Sequence, residues 1–169
     1  MTLYFLDLES TGLSPATHEI TEVCIHRRSI PEEESKTWVW KIKPDHIETA
    51  SSFALDLNGF DSKEWDRDGI TQKDAADVIS EVLRSPGIIV AHNAKFDVGF
   101  IHALLHDHPT ADLPPHSNCT AILARQLSHV TGWTSASMQY IRQQMDWTTD
   151  GAHRAEKDVE DLIRLYDFL

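Results

Sequence analysis

The segment Leu3-Tyr4-Phe5-Leu6-Asp7-Leu8-Glu9 decides the fold, because an apolar run ends in two acids that lie two residues apart. Alternate side chains of a β-strand share a face, so Asp7 and Glu9 project together while Leu6 and Leu8 point to the other face. Two like charges side by side in an apolar strand repel, and each raises the pKa of the other. A bound cation would resolve this repulsion, and an edge strand with a solvated acidic face is the alternative.

The rest of the chain predicts an α/β fold. Turn-rich or polar connections separate the first strand from two more, which favours an antiparallel meander. Strands are predicted at 3–8, 19–27, 36–43 and 87–91, and helices at 71–85, 95–106, 118–127, 135–145 and 154–168. This order predicts a mixed central sheet, a three-strand meander plus further strands, flanked by helices.

Length and composition predict one domain that spans residues 1–169. The hydrophobic share of 41% is that of a globular protein, and no run is long enough to cross a membrane, so we expect no membrane partner. The apolar start has no basic leader before it and is interpreted as a strand. Cys24 and Cys119 indicate buried thiols, which favours the cytoplasm and excludes a zinc site built on cysteine pairs.

The charge balance restricts the way in which nucleic acid could be bound. With 27 acidic against 15 basic residues and a net charge of −12, the chain is not expected to wrap a long duplex through phosphate contacts. An enzyme that takes one strand end into a pocket is still compatible with this charge. Part of the acidic excess can be ligands for divalent cations that neutralise the phosphates.

Two later segments place further polar side chains where a strand or loop enters a helix. In His92-Asn93-Ala94-Lys95-Phe96-Asp97, Asp97 falls in the first turn of a helix, where it is either a ligand or an acid that complements the helix dipole. Asn93 is either a helix cap or a substrate contact. His153 precedes the last helix and Asp158 lies in its first turns. Histidine titrates near neutral pH, so His153 suits a general base, with an ordinary surface residue as the alternative.

Together these motifs resemble the DEDDh 3′→5′ exonucleases, the family that includes the proofreading epsilon subunit of bacterial DNA polymerase III. The resemblance rests on residues 7–13, 92–97 and 153–158, and it also covers 54–60 and 120–125. The chain departs from the family pattern at two positions. Leu8 stands where a threonine is common, and Cys119 stands where an acid often precedes the threonine. Neither belongs to the four metal-binding acids, so we expect effects on packing or substrate choice.

The resemblance implies a ribonuclease-H-like fold and a mechanism that uses two divalent cations, Mg²⁺ or Mn²⁺. It implies stepwise hydrolysis from single-stranded or frayed 3′ ends of DNA or RNA, with release of nucleoside 5′-monophosphates. The implied metal ligands are Asp7, Glu9, Asp97 and Asp158, and the implied general base is His153. The residues expected to contact substrate are Ser10, Thr11, Asn58 and Asn93. Phe53 or Phe96 could stack a base, although core packing is the favoured interpretation of Phe96.

The sequence also allows two other functions. An oligoribonuclease-like enzyme for short RNA fits the acidic charge and Asp7-Leu8-Glu9, whereas residues 91–97 look like the proofreading branch. The second is an inactive exonuclease-fold binding module. Such modules usually lose ligands, whereas this chain retains all five motif residues, Asp7, Glu9, Asp97, His153 and Asp158. A polymerase or other replication partner is an open alternative. The end of the chain within a helical pattern favours a free-standing enzyme or a homodimer, with Trp38 and Trp40 as core or interface residues.

Overall fold

The computed structural model describes residues 1–31, 34–106 and 113–169. A five-stranded sheet has the order β3-β2-β1-β4-β5. Its strands are β1 (Thr2–Ser10), β2 (Ile20–Ser29), β3 (Ser35–Lys41), β4 (Ile88–Ala91) and β5 (His116–Cys119). The first three form an antiparallel meander, and β4 and β5 add parallel strands on the other side of β1. The predicted mixed sheet and meander are confirmed.

The helices lie on both faces of this sheet. They are α1 (Ser52–Leu57), α2 (Ser62–Asp68), α3 (Gln72–Leu83), α4 (Ala94–Leu104), α5 (Thr120–Gln126), α6 (Ser128–Thr131), α7 (Met138–Gln144) and α8 (Ala155–Phe168), with a 3-10 turn at Ile47–Thr49. Thr71 caps α3 by accepting a hydrogen bond from the backbone N–H of Asp74, at 3.1 Å. This is the cap that the sequence predicts.

Strand β1 separates two apolar layers, because its alternate side chains enter different clusters. Tyr4, Leu6 and Leu8 pack in a cluster that includes buried residues of α3 and α4. Leu3 and Phe5 pack on the opposite face against α8. Asp7 and Glu9 continue the row of Leu3 and Phe5, so the strand directs both carboxylates toward the layer that contains α8.

The pairing of β1 leaves its carboxyl end open on one side. The ladder with β2 runs from Thr2 opposite Ser29 to Glu9 opposite Glu22. The ladder with β4 joins only three pairs and ends at Phe5 opposite Val90. Beyond Phe5, β1 has no further pairs with β4, which ends at Ala91 and is followed by α4 from Ala94.

The helix predicted at 118–127 is wrong at its start. Residues 118–119 belong to β5, and α5 begins at Thr120. The sequence His-Ser-Asn-Cys has no strand alternation, and its conformation comes from pairing with β4. Helices α1, α2 and α6 are also absent from the sequence-based prediction. Ser51 and Asp61 cap α1 and α2, so the start signals were present although the helices are only 6 and 7 residues long.

Trp38 and Trp40 both have partners within the chain. Trp40 packs against the larger apolar cluster. The ring of Trp38 lies 5.5 Å from the guanidinium carbon of Arg27 and 4.8 Å from Nζ of Lys36. Across the described ranges, no helix has the length and apolar character that a membrane crossing requires.

Candidate active site

The carboxylates of β1 and α8 meet because the helix packs on the strand face that carries them. Val159 and Leu162 of α8 lie in one cluster with Leu3 and Phe5. Asp158 precedes Val159, and its carboxylate interacts electrostatically with those of Asp7 and Glu9.

Asp97 reaches the same place from the opposite layer. It lies in the first turn of α4 and its residue is 3% exposed. Its carboxylate accepts a hydrogen bond from the backbone N–H of Leu8. That donor belongs to the part of β1 beyond the ladder with β4, which ends at Phe5. The Leu8 backbone N–H thus has a carboxylate partner at a position where β1 is not paired with β4.

Burial raises the pKa values of Asp7, Glu9 and Asp97, and neighbouring carboxylates add to the shifts of Asp7 and Glu9. Burial is the largest cause for Asp7, whose pKa lies well above the ordinary value, and the carboxylates of Asp97, Asp158 and Glu9 add to it. Burial raises the pKa of Glu9 to about 8, with Asp158 and Glu22 as the next contributors. Burial raises the pKa of Asp97 to about 8, against two backbone hydrogen bonds that lower it. The protein alone therefore does not stabilise three charges here.

Asp158 has a different environment, because a buried arginine contacts it. Arg142 of α7 donates from Nη2 to Asp158 at 2.5 Å and from Nε to Asp161 at 2.7 Å. Lys157 donates to the other oxygen of Asp161 at 2.6 Å. Burial raises the pKa of Asp158, and the guanidinium of Arg142 opposes that shift.

His153 lies at the rim of the carboxylate cluster. It is exposed, and its backbone is left-handed, with φ 63°. One ring nitrogen and one carboxylate oxygen each from Glu9 and Asp158 lie within 4.8 Å of one another. This spacing allows the imidazole to act on a water beside the carboxylates, and it also allows direct coordination of a cation.

The donor set fits hard divalent cations. Carboxylate oxygens are the ligands that Mg²⁺ and Mn²⁺ prefer. Across residues 1–31, 34–106 and 113–169, no ion pair reaches Asp7, Glu9 or Asp97, so a cation would supply the missing positive charge. The residues that could hold it are Asp7, Glu9, Asp97 and Asp158.

Most of the residues expected to contact substrate have partners inside the protein. The backbone N–H of Thr11 donates to Glu19, and its carbonyl accepts from Ser51. The Ser10 carbonyl accepts from the Asn58 amide at 3.1 Å. These three expected residues therefore build the turn after β1, and their bonded groups are not free for a sugar. The described structure gives Asn58 Oδ1 no partner.

Asn93 and His92 differ from each other although they are adjacent. Asn93 is exposed at the start of α4 with φ 72°, and its side chain makes no capping hydrogen bond. Among the described residues its side chain has no capping partner, so it could contact a ligand. His92 is held on both ring nitrogens, 2.9 Å from Thr120 Oγ1 and 2.8 Å from the Ala136 carbonyl, and burial lowers its pKa. These contacts give His92 a structural role.

Sequence reasoning missed three charged residues of this site. Glu22 is 2% exposed and lies opposite Glu9 in the sheet, while Arg142 and Asp161 form the buried ion pair beside Asp158. The alternation of β2 could have indicated Glu22, because a charge interrupts an apolar face there. Arg142 and Asp161 are 19 residues apart on different helices, and no local spacing indicates that they meet.

Comparison with known proteins identifies the family. A model of the exonuclease family, described as "Exonuclease", matches residues 4–166. The chain belongs to the DEDD-type 3′→5′ exonuclease family. It is accordingly a nuclease of the hydrolase class, and divalent metal ions are general in the family.

Named relatives of this exonuclease include ribonuclease T. The protein from Shewanella oneidensis is 26% identical over 178 positions, which cover 97% of this chain and 79% of the relative. Ribonuclease T from Vibrio vulnificus is 25% identical over 174 positions, which cover 95% of this chain and 80% of the relative.

Solved structures show the fold. E. coli exonuclease I in complex with a dT13 oligonucleotide matches with a TM-score of 0.85 at 16% identity, and the complex with dA16 with 0.81 at 17% identity. Each match covers 99% of this chain, but the chain spans only 40% and 42% of exonuclease I. The mixed sheet is thus the ribonuclease-H-like exonuclease fold.

Proposed function

We propose that residues 1–169 act as one exonuclease domain that removes nucleotides from single-stranded or frayed 3′ ends of DNA or RNA, with two divalent cations, Mg²⁺ or Mn²⁺. One observation carries the proposal: the Asp7 carboxylate interacts with those of Glu9, Asp97 and Asp158, and the exposed His153 imidazole lies within 4.8 Å of Glu9 and Asp158. Within the described residues, Asp7, Glu9 and Asp97 have no ion-pair partner. The proposed ligands are Asp7, Glu9, Asp97 and Asp158, and the proposed base is His153.

Each side chain is proposed to have its own role in the reaction, according to its position in the site. Asp7 interacts with all three other acids, which supports a role in holding the cations. His153 is exposed on the solvent side, where it can take the proton of an attacking water. Bound cations would supply Lewis acidity toward the phosphodiester and stabilise negative charge on its oxygens. The products would be nucleoside 5′-monophosphates.

The terminal nucleotide is proposed to lie beside the turn after β1. Phe53 of α1 is 73% exposed, whereas Asn58 is 4% exposed and its Oδ1, which has no partner among the described residues, is buried. An exposed ring next to a nucleic-acid site can stack a base. Phe96, the alternative, packs on Phe100 with the ring centroids 4.9 Å apart, so core packing already uses it.

The strand upstream of the cleaved bond is proposed to leave through a cavity of about 730 Å³ beside the site. Ser137 and Met138 line both this cavity and the pocket that contains His153 and Asp158. The described residues that line the cavity include Arg125 and Asn93 but no aspartate or glutamate. In a chain with a net charge of −12, an acid-free cavity that contains an arginine is suited to phosphates.

A degradation assay tests the activity. DNA and RNA strands of several lengths, labelled at the 3′ or the 5′ end, are incubated with Mg²⁺ or Mn²⁺ and with chelator. The expected result is early release of labelled mononucleotide from the 3′ end, loss of activity in chelator, and no activity of Asp7→Ala. Hydrolysis that continues undiminished in chelator contradicts the proposed mechanism. Inactivity of the wild type on every strand favours the binding-module alternative.

A charge reversal tests the path of the strand. Arg125→Glu should raise KM for strands of eight or more nucleotides while hydrolysis of the nitrophenyl ester of thymidine 5′-monophosphate, which has no upstream strand, stays unchanged. Arg84→Glu on α3 is the control, because Arg84 is exposed and pairs only on the surface with Glu81. An equal KM of Arg125→Glu and wild type on long strands contradicts this path. Strong preference for two- to five-nucleotide RNA would favour the oligoribonuclease-like function.

A further inference from the structure

The residue that follows His153 is tied to the centre of the sheet. Arg154 donates from Nε to Oε2 of Glu22 at 2.9 Å and from Nη2 to Oε1 at 3.4 Å. Glu22 is on β2, directly opposite Glu9. The pair thus joins the approach to α8 with the strand next to the proposed metal ligands.

This ion pair is not an ordinary surface contact. The Glu22 side chain is 2% exposed, whereas that of Arg154 is 40% exposed. A carboxylate at that depth needs a cationic partner, since burial of an unpaired charge is strongly unfavourable. The guanidinium carbon also lies 5.9 Å from the centroid of the Trp65 ring, so a second element, α2, restricts the arginine.

The backbone at His153 requires such a restraint. Its φ of 63° lies in the left-handed region, which is unfavourable for a residue with a Cβ atom. Strained residues persist where the surrounding structure holds them. The preceding loop also turns through positive φ at Gly151. Arg154 directly follows His153, and its side chain bonds to the sheet at Glu22. Arg154 also precedes α8, but its side chain makes no hydrogen bond that caps the helix.

We infer that the Glu22–Arg154 ion pair positions the His153 imidazole over Glu9 and Asp158. Glu22 and Arg154 are positioning residues in this inference: they hold the His153 loop against the sheet at the register of Glu9. The inference rests on the proposed function for the role of His153 in turnover, and it adds Glu22, a buried acid outside the four proposed ligands. A displacement of about 1 Å in a reacting group is enough to cost on the order of 10²-fold in rate.

A double-mutant cycle tests this inference on the full chain. Glu22→Gln and Arg154→Met, which keeps the aliphatic stem over Trp65, should each lower kcat roughly 10–100-fold with little change in KM. In a His153→Ala background the same changes should lower kcat less than about twofold, because the group that they position is gone. Equal losses in both backgrounds overturn the inference, since they indicate a general effect on folding or on metal binding. Glu81→Gln, which breaks a surface ion pair with Arg84, is the control and should leave kcat unchanged in both.

A spectroscopic measurement separates this inference from the proposed function. The imidazole carbon–proton resonance of His153, assigned by its absence in His153→Ala, should shift or broaden in Glu22→Gln and Arg154→Met but not in Glu81→Gln. An unmoved resonance overturns the inference whatever the activity. If His153→Ala itself has wild-type kcat, the general-base role fails, and a shifted resonance still supports the positioning. If Glu22→Gln does not fold, Arg154→Met decides both measurements, because its side chain is partly exposed.

Discussion

The carboxylate cluster has two sides: the strand side comprises Asp7, Glu9 and Asp97, and the helix side comprises Asp158. The two sides differ in how their charges are compensated. On the strand side, Asp7 has no ion-pair partner among the described residues, and its pKa lies well above the ordinary value. On the helix side, Asp158 contacts the buried guanidinium of Arg142, which also contacts Asp161. Both sides are removed from bulk water, so the difference comes from the partners.

This difference indicates that the two sides become ordered in different ways. The helix side holds its positive charge within the fold, so Asp158 keeps its position without a ligand. The strand side has an excess of negative charge in a poorly solvated place, where repulsion is stronger than in water. It can lower its free energy by binding protons or cations. Binding of divalent cations should therefore act mainly on Asp7, Glu9 and Asp97.

The largest expected effect is on activity. Asp7→Asn and Asp158→Asn should both remove activity but should shift the melting temperature in opposite directions. Asp7→Asn should lower kcat at least about 10³-fold, because cation catalysis supplies several kcal/mol and about 1.4 kcal/mol corresponds to tenfold. In chelator the same variant should melt at a higher temperature than wild type, because an amide of the same shape replaces an uncompensated charge. Assays of turnover and thermal unfolding measure both effects.

Asp158→Asn is the matched change on the helix side. It should also abolish turnover, but in chelator it should lower the melting temperature. Arg142 loses one of two carboxylate partners, which corresponds to about 1–3 kcal/mol. Asp66→Asn, on the exposed surface of α2, is the control for the substitution itself and should change neither property. If Asp7→Asn and Asp158→Asn shift the melting temperature in the same direction, the contrast between the two sides is wrong.

His153 lies between the two sides, and its replacement distinguishes a base from a ligand. His153→Ala should lower kcat about 10²–10⁴-fold, the usual contribution of general-base catalysis. The cation concentration that gives half-maximal activity should stay unchanged, because the four carboxylates remain. Turnover measured across a range of Mg²⁺ and Mn²⁺ concentrations checks this.

A large rise in that half-maximal concentration would assign His153 to the metal instead, which its distance from Glu9 and Asp158 allows. His102→Ala, an exposed histidine on α4, is the control and should leave both quantities unchanged.

Removal of the buried arginine tests the helix side alone. Arg142→Met should lower the free energy of unfolding by about 3–5 kcal/mol, because it leaves Asp158 and Asp161 without the guanidinium. Urea denaturation in chelator measures this change. Arg84→Met, which removes an exposed arginine from a surface ion pair, should change stability by less than about 0.5 kcal/mol. A similar small change for Arg142→Met would mean that Lys157 is sufficient for Asp161.

The four acids could be predicted from the sequence, but the buried arginine that compensates Asp158 could not. Asp7 and Glu9 are two residues apart in one strand, so the period of the strand alone places them on one face. Asp97 and Asp158 fall in first helical turns, which the apolar spacing of the two helices locates. Arg142 meets Asp158 only through the packing of α7 on α8, and no local pattern indicates that contact.

The fold, too, could be predicted only in part from the sequence. The meander and the long helices follow from apolar periodicity, which is strong in β1, β2 and α8. Strand β5 is polar and four residues long, and it forms because β4 offers it a parallel partner. The predicted contacts of Ser10 and Thr11 with substrate also depend on tertiary structure, because distant backbone groups occupy the bonds that the sequence leaves open.

The pH dependence of stability tests the strand side by itself. The pKa values of Glu9 and Asp97 are raised to about 8 in the folded protein, whereas carboxyl groups in an unfolded chain titrate near about 4. Between these values the folded state binds more protons than the unfolded state. In chelator, stability should therefore be greatest at the acid end of this window and decrease as pH rises through about 8.

Mg²⁺ should flatten this decrease, because a cation replaces the protons and binds more tightly as they leave. Glu9→Gln should reduce the slope, while Glu81→Gln on the surface should not. Thermal unfolding between pH 5 and 9, with and without Mg²⁺, measures the slopes; stability that rises with pH in chelator would show that the strand side is already compensated.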